Sequence, residues 1–385
     1  MPTTLTPLPQ HRFLADWLCR EEREVWTWFA EKEKAAADDE EVRLSLLRDN
    51  YRMEAEGHPE VFREIEAACA ALEIKATVHA YQAEHHTQPN AAVCHLEGEA
   101  HVIFSGPILS LLSAEELRAV IGHELAHHHL WQMEEGAFLL ADRILHSCAS
   151  HPGAEPAHAH SARVWRLATE LFADRGAYLA TGSLNATIGA LVKTTTGLAQ
   201  VSAKSYLAQA AELFSKSKPK IDQVSHPETF IRARSLQLWV EKDESLGETI
   251  SRMLDPDEGM DGLTLIQQSE MTILTRRFIG HLLSPAWFQT DAVLAHARLF
   301  FPDIGVSADL GIIAELAARP APHREYFAQL MLDFCAVDPD LNDQPVARSL
   351  TLARDLECLG AFEKLLTREL KLKAKDLKKL KEAME

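Results

Sequence analysis

The sequence lacks the features that define several large classes of protein. It contains no run of about eighteen consecutive apolar residues, so we expect no integral membrane segment. Its 6 cysteines include no CxxC pair, which argues against a thiolate zinc site and against a disulfide framework. Its first residues show no basic segment followed by an apolar one, so we expect no secretory signal and a cytoplasmic protein.

Positive charge is also scarce. The chain holds 39 lysines and arginines against 57 aspartates and glutamates, and its formal net charge is −18. Because such a surface repels phosphates, we do not expect nucleic acid to be a partner. The length of 385 residues and the hydrophobic fraction of 46% instead indicate a globular protein of about two or three domains.

The chain divides into three regions by pattern. Residues 1–50 are typical of a helical N-terminal segment, residues 51–245 combine short strands with longer helices, and residues 246–385 keep a helical pattern. Runs rich in Val, Ile, Phe and Tyr predict three strands in the middle region, at 76–81, 92–96 and 101–105. We therefore predict a mainly α protein with a small antiparallel or mixed β-sheet, an α+β fold, followed by an all-helical C-terminal domain.

Histidine is the residue in excess, and one helix of the middle region carries two histidines on one face. The capping-box sequence SAEE at 113–116 predicts where this helix begins, and HELAH follows at 123–127. Because side chains four apart lie about 6 Å from each other, His123 and His127 can bind one Zn²⁺. Glu124 can reach a water at that metal and is the candidate general base. The alternative is a solvent-exposed, histidine-rich helix face.

A catalytic zinc site needs a third protein ligand, and Glu170 is the candidate. It follows in the next strong helical segment, and Asp174 lies one turn later on the same face. Their neighbours are apolar or small, so an unpaired pair of carboxylates there would be costly. Asp174 is predicted to accept a hydrogen bond from a ligand imidazole. His128 and His129 point away from His127, and we expect both to be exposed.

These motifs together resemble a known family. The run NAAVCHLEGEAHVIFSGPILSLLSAEELRAVIGHELAHHHL at 90–130 resembles the HtpX-like and CAAX-prenyl-protease group of zinc metallopeptidases, which are HExxH gluzincins. TELFADRGA at 169–177 resembles the second motif of that group, in which a Glu is the third zinc ligand and an Asp supports a ligand. The resemblance implies a zincin-like metallopeptidase core with one Zn²⁺ per chain, held by the three residues His123, His127 and Glu170.

A third segment, SHPETFIRARSL at 225–236, resembles the His-Pro…Arg element of the same group. By this resemblance, His226 lies across the metal from Glu124 and donates to the oxyanion, and Arg232 orders the site. Many members of the group carry transmembrane helices, which this sequence lacks, so their membrane substrates do not carry over. We expect the strand residues His101, Val102, Ile103 and Phe104 to pair with an extended substrate.

The C-terminal region holds two further features. Residues 325–366 resemble the helical TerB-like modules of tellurite-resistance proteins. The tail at 364–385 has eight basic and four acidic residues with leucines at helical spacing, which predicts a basic amphipathic helix. We expect this helix to pack on the acidic body of the protein or on a second copy. The alternatives are an anionic membrane surface and an acidic partner.

Two functions fit the sequence. The first is a zinc endopeptidase that hydrolyses protein or peptide substrates with Glu124 as general base, and that is latent because a terminal helical region partly covers its cleft. The second is a zinc-stabilised scaffold or adaptor whose helical C-terminal domain binds partners, with little proteolysis.

Overall fold

The computed structural model describes residues 5–36, 39–84, 87–216, 229–244, 246–254 and 259–382. The chain divides into two compact units, Met1–Pro256 and Asp257–Glu385. Within the described residues the structure is mainly helical with one small mixed sheet, which confirms the predicted α+β fold class. None of the described helices is both long enough and apolar enough to cross a membrane.

The first unit contains the sheet and twelve of the described helices. The strands are β1 (Asn50–Arg52), β2 (Thr77–Ala83), β3 (Asn90–Leu96) and β4 (Glu99–Ser105). The helices are α1 (Pro9–Glu21), α2 (Arg23–Ala36), α3 (Asp39–Asp49), α4 (Pro59–Leu72), α5 (Ile108–Leu111), α6 (Ala114–Gln132), α7 (Ala137–Ser150), α8 (Pro156–Thr181), α9 (Leu184–Thr196), α10 (Ala203–Lys216), α11 (Thr229–Glu241) and α12 (Leu246–Leu254).

The strand order corrects one expectation from the sequence. The four strands lie in the order β1-β2-β4-β3, with β4 parallel to β2 and antiparallel to β3. The residues His101, Val102, Ile103 and Phe104 therefore belong to an inner strand, so the prediction that they form a substrate-binding edge is wrong. Their backbone groups already pair on both sides, and β3 forms the edge next to them.

Two glycines allow the helices α6 and α8 to cross in close contact. A Cβ atom on Gly122 would lie only 2.5 Å from the Cβ of Ala180, and one on Gly176 would overlap the Cβ of Ala126. Real side chains never approach so closely, so glycine at both positions brings the two helix backbones together. This crossing fixes the distance between the residues that each helix presents on either side of it.

Helix α1 packs against α7 and α8 through a buried histidine. His11 is fully buried beside the rings of Phe138, Trp165 and Phe172. Its Nδ1 accepts a hydrogen bond from the Leu8 backbone N–H at 3.1 Å, and its Nε2 lies 3.2 Å from the hydroxyl of Thr169. The N-terminal segment is thereby tied to helix α8 at its centre.

All the regular secondary structure in the described residues of the second unit, 259–382, is helical, which confirms the predicted all-helical C-terminal part. Its helices are α13 (Leu265–Leu282), α14 (Asp291–Phe300), α15 (Ile312–Ala317), α16 (Ala321–Cys335), α17 (Gln344–Asp355), α18 (Leu359–Glu369) and α19 (Ala374–Glu382). Phe278, Phe327, Phe334 and Phe362 are fully buried in its core. The basic helix α19 packs onto this core through Leu377 and Leu380.

Candidate metal centre

Helix α6 is anchored at its start by the capping box that the sequence predicts. The Ser113 hydroxyl accepts from the Glu116 backbone N–H at 3.3 Å, and the Ser113 backbone N–H donates to Glu116 Oε2 at 2.8 Å. Lys193 of α9 donates to the same carboxylate oxygen at 2.8 Å. The box therefore sets where the HELAH segment lies along the helix and ties α6 to α9 as well.

The residues that the sequence selects as metal ligands converge at one point. His123 Nε2 and His127 Nε2 are 3.2 Å apart, and Glu170 places its two oxygens 3.5 Å from the first and 3.7 Å from the second. A tetrahedral zinc ion with bonds of about 2.0–2.1 Å separates its ligand atoms by roughly 3.3 Å. The two imidazole nitrogens face each other at a distance at which both can bind one cation. The donor set and its spacing therefore fit Zn²⁺.

Asp174 and Arg232 orient two of these ligands through hydrogen bonds and an ion pair. Asp174 Oδ1 lies 3.1 Å from His123 Nδ1, so it accepts the proton of that nitrogen and leaves Nε2 free to bind. Arg232 donates to Asp174 Oδ2 at 2.8 Å and to Asp174 Oδ1 at 2.6 Å, and its third nitrogen lies 2.8 Å from Glu170 Oε2. One guanidinium from α11 thus orients both carboxylates of α8.

Sequence reasoning missed Trp131, which contacts the second histidine of the motif. Its ring stacks on that of His127 with centroids 5.8 Å apart and planes 23° apart. Among the described residues, no group hydrogen-bonds to His127 Nδ1. Ring stacking therefore takes the orienting role that a carboxylate plays for His123. The signal was present, because Trp131 follows His127 at a spacing of four on the same helix face.

Burial and charge shift the proton affinities of the site in opposite directions. Burial raises the pKa of Glu124 to about 7, which suits a group that accepts and returns a proton near neutrality. Burial also acts to raise the pKa of Glu170, but the Arg232 guanidinium overcomes this and holds the pKa below its usual range. Burial lowers the pKa of His127 to about 4, so its ring is a neutral ligand at physiological pH.

The site opens into a cleft of about 790 Å³. Its lining includes Asn90 to Val93 of the edge strand β3 and residues of helix α9 between Thr187 and Thr195. His123, Glu124, His127 and Glu170 line the same cleft. A chain that enters the cleft would therefore lie close to β3, which is an outer strand of the described sheet.

The predictions for three further histidines have different outcomes. His226 lies outside the described residues, so its predicted role stays a prediction. His128 was expected to be exposed and is instead fully buried, with its Nδ1 only 2.8 Å from Nδ1 of His95 on β3. The prediction for His128 is wrong because the sheet packs over the helix face on which it lies. His129, on the next face, is partly buried.

Comparison with known proteins agrees with a metal-dependent hydrolase. The combination of an α+β fold, two histidines of an HExxH helix and a downstream glutamate in one cleft defines the class of metallopeptidases. Residues 56–240 match the model of peptidase family M48. The matched segment contains strands β2 to β4, helices α4 to α10 and nearly all of α11. This match indicates a metalloprotease, and peptidases of that family depend on zinc in general. Neither the curated proteins nor the solved structures gave a match to the chain.

Proposed function

We propose that the chain is a zinc-dependent endopeptidase of the HtpX-like type, acting in the cytoplasm on protein or peptide substrates. The observation that carries this proposal is the convergence of His123, His127 and Glu170, whose ligand atoms lie within 4.8 Å of one another. Glu124 is next to them and lines the same cleft. These three ligands would hold the metal and leave a fourth position open for water.

In the proposed hydrolysis, different residues would bind the metal, transfer the proton and stabilise the developing negative charge. Bound zinc supplies a Lewis acid that polarises the scissile carbonyl and lowers the pKa of water. Glu124 takes the proton from the attacking water and returns it to the leaving amine. By resemblance, His226 donates a hydrogen bond to the oxygen on which negative charge develops.

The edge strand β3 is proposed to bind the substrate in place of the predicted inner strand. An extended peptide can add to the free side of β3 through main-chain hydrogen bonds, which gives affinity with little dependence on sequence. Asn90 to Val93 run along the cleft that contains Glu124, so a peptide paired there would lie across the candidate base.

The decisive experiment compares two glutamates of the same helix. Glu124→Gln should bind zinc like the wild type but lose cleavage of an unfolded protein such as casein. Glu115→Gln, at an exposed position of α6, should keep both properties. A chelator should abolish cleavage by the wild type and by Glu115→Gln. Full cleavage by Glu124→Gln would refute the assigned base. Zinc binding with no cleavage by the wild type or by Glu115→Gln would instead support a zinc-stabilised scaffold or adaptor.

Latency and the role of the second unit are proposed as well. A terminal helical region would limit access to the cleft, so a chain that ends at residue 256 should cleave casein faster than the full chain does. Equal or slower cleavage by a folded truncation would reject this. Helix α19 would serve self-association or an acidic partner rather than nucleic acid, because its basic side chains lie on an otherwise acidic chain.

A further inference from the structure

A second cluster of metal-binding side chains lies on the sheet, outside the candidate catalytic cleft. His79 of β2 pairs in register with His101 of β4, so both side chains project from the same face of the sheet. Glu99 precedes His101 by two residues and shares that face. The two imidazole rings stack with centroids 4.9 Å apart and planes 22° apart.

The ligand atoms of this cluster converge as they do in the first site. His101 Nε2 lies 3.0 Å from Glu99 Oε2, and His79 Nε2 lies 4.0 Å from the same oxygen. All three ligand atoms are within 4.8 Å of one another. A tetrahedral zinc ion needs about 3.3 Å between ligand atoms, so His79 has only to rotate slightly inward. Its side chain is 33% exposed, which leaves room for that rotation.

Two of these ligands also make hydrogen bonds to neighbouring side chains, as the candidate ligands in the cleft do. The Tyr81 hydroxyl lies 3.2 Å from His101 Nδ1, where Asp174 stands behind His123. Arg43 of α3 donates to both oxygens of Glu99, at 3.1 Å and 3.2 Å, as Arg232 supports Glu170. Such partners fix the orientation of a ligand and its basicity.

The protonation states suit a divalent metal. Burial lowers the pKa of His101, so its ring is neutral at physiological pH. The hydrogen bonds from Arg43 hold the pKa of Glu99 below its usual value, so its carboxylate is ionised. Two imidazoles and one carboxylate favour Zn²⁺ over Mg²⁺ or Ca²⁺, which prefer oxygen ligands.

We propose that His79, Glu99 and His101 form a second zinc site that is separate from the one in the cleft. Glu99 is 26% exposed, so the cluster is open to solvent and a water can complete four ligands. Metal at this site would link β2 to β4, and β4 carries the edge strand β3. The second zinc would therefore stabilise the wall of the cleft without touching the reacting bond.

The test counts zinc per chain in the full-length protein. After dialysis against a zinc buffer, His79→Gln should hold one fewer zinc ion than the wild type, by metal analysis of folded protein. His146→Gln, at an exposed position of α7, should hold the wild-type amount. The difference between wild type and His79→Gln does not depend on whether the cleft binds metal, so it separates this proposal from the proposed function. Equal zinc content in folded His79→Gln and wild type would overturn the proposal.

A second measurement uses the wild type and needs no variant. Diethyl pyrocarbonate modifies accessible imidazoles, and zinc bound at Nε2 should protect His79 from the reagent while leaving His146 reactive. Mass spectrometry of peptides with and without zinc reads out both residues. Modification of His79 at the same rate in saturating zinc would contradict the site. A loss of protection in Glu99→Gln would assign the carboxylate as the third ligand, and unchanged protection there would exclude that assignment.

Discussion

Arg232 donates two hydrogen bonds to Asp174, at 2.8 Å and 2.6 Å, and reaches Glu170 at 2.8 Å with its remaining nitrogen. The first carboxylate orients a candidate metal ligand, and the second is a candidate ligand itself. A planar guanidinium satisfies both because its donors form a rigid fork. The three residues therefore act as one support for the site, and two elements, α8 and α11, contribute to it.

Replacing this guanidinium should weaken metal binding. Arg232→Lys keeps the charge but cannot make the two-pronged contact with Asp174, so the orientation of His123 and Glu170 should loosen. Loss of such support costs about 10–100-fold in metal affinity, measured here by competition with a chelating dye. Arg234→Lys, on the same helix and bonded to Gln237, should leave zinc affinity unchanged. Wild-type affinity in Arg232→Lys would show that the support is dispensable.

The helix crossing predicts a steric effect on stability and on metal binding together. The added methyl of Gly176→Ala would overlap Ala126 and force α6 and α8 apart. Overpacking of this kind costs about 1–3 kcal/mol in the free energy of unfolding, and zinc affinity should fall with it. Gly247→Ala adds a methyl where nothing lies within 4 Å and should not destabilise the protein. Denaturant melts and zinc titrations of both variants check this.

The buried histidine of α1 predicts a dependence of stability on acid. Burial lowers the pKa of His11 from 6.5 to about 3 in the folded protein, so below pH 6.5 the unfolded chain binds more protons. Its contribution to stability is complete above that pH and falls by about 1.4 kcal/mol per pH unit as the pH drops toward 3. His11→Gln should therefore lose stability less steeply between pH 6.5 and 5 than wild type or His146→Gln. Parallel curves for all three proteins would exclude His11 as the cause.

Pairing of substrate with β3 predicts a cost for blocking main-chain donors. A peptide substrate with N-methyl groups at alternating positions near the scissile bond loses hydrogen bonds to the strand edge. Each lost bond costs about 0.5–1.5 kcal/mol, so kcat/KM should fall about 2–10-fold per methyl in one register and little in the other. The unmethylated peptide of the same sequence is the control. Equal cleavage of all methylated peptides would argue against β3 as the binding edge.

Local sequence signals placed most of the candidate site. The period of an α-helix is enough to bring His123 and His127 onto one face, and it does the same for Glu170 and Asp174. The Ser113–Glu116 capping box is equally local, and the helix begins where that pattern predicts. These features can be predicted from the sequence because residues within one or two helical turns determine them.

Features that depend on residues far apart in the sequence could not be predicted from local patterns. Which strand forms the edge depends on the parallel pairing of β2 with β4, and no local pattern states that pairing. The burial of His128 depends on the sheet that covers it. One clue was present, because inner strands carry near-continuous apolar runs, as in Val102 to Phe104. Helix α8 begins at Pro156, because proline fits the first turn of a helix.

The contact of α6 with α8 at Gly122 and Gly176 also determines how zinc binding is lost when the protein unfolds. The candidate ligands lie on two helices whose backbones are in close contact at this crossing, so these backbones cannot separate unless the core opens. Amide hydrogens near both glycines should therefore exchange among the slowest in the first unit, through unfolding of the whole unit rather than local fraying. Zinc-binding capacity and the packed core should disappear in one cooperative step, with no intermediate that keeps one and lacks the other.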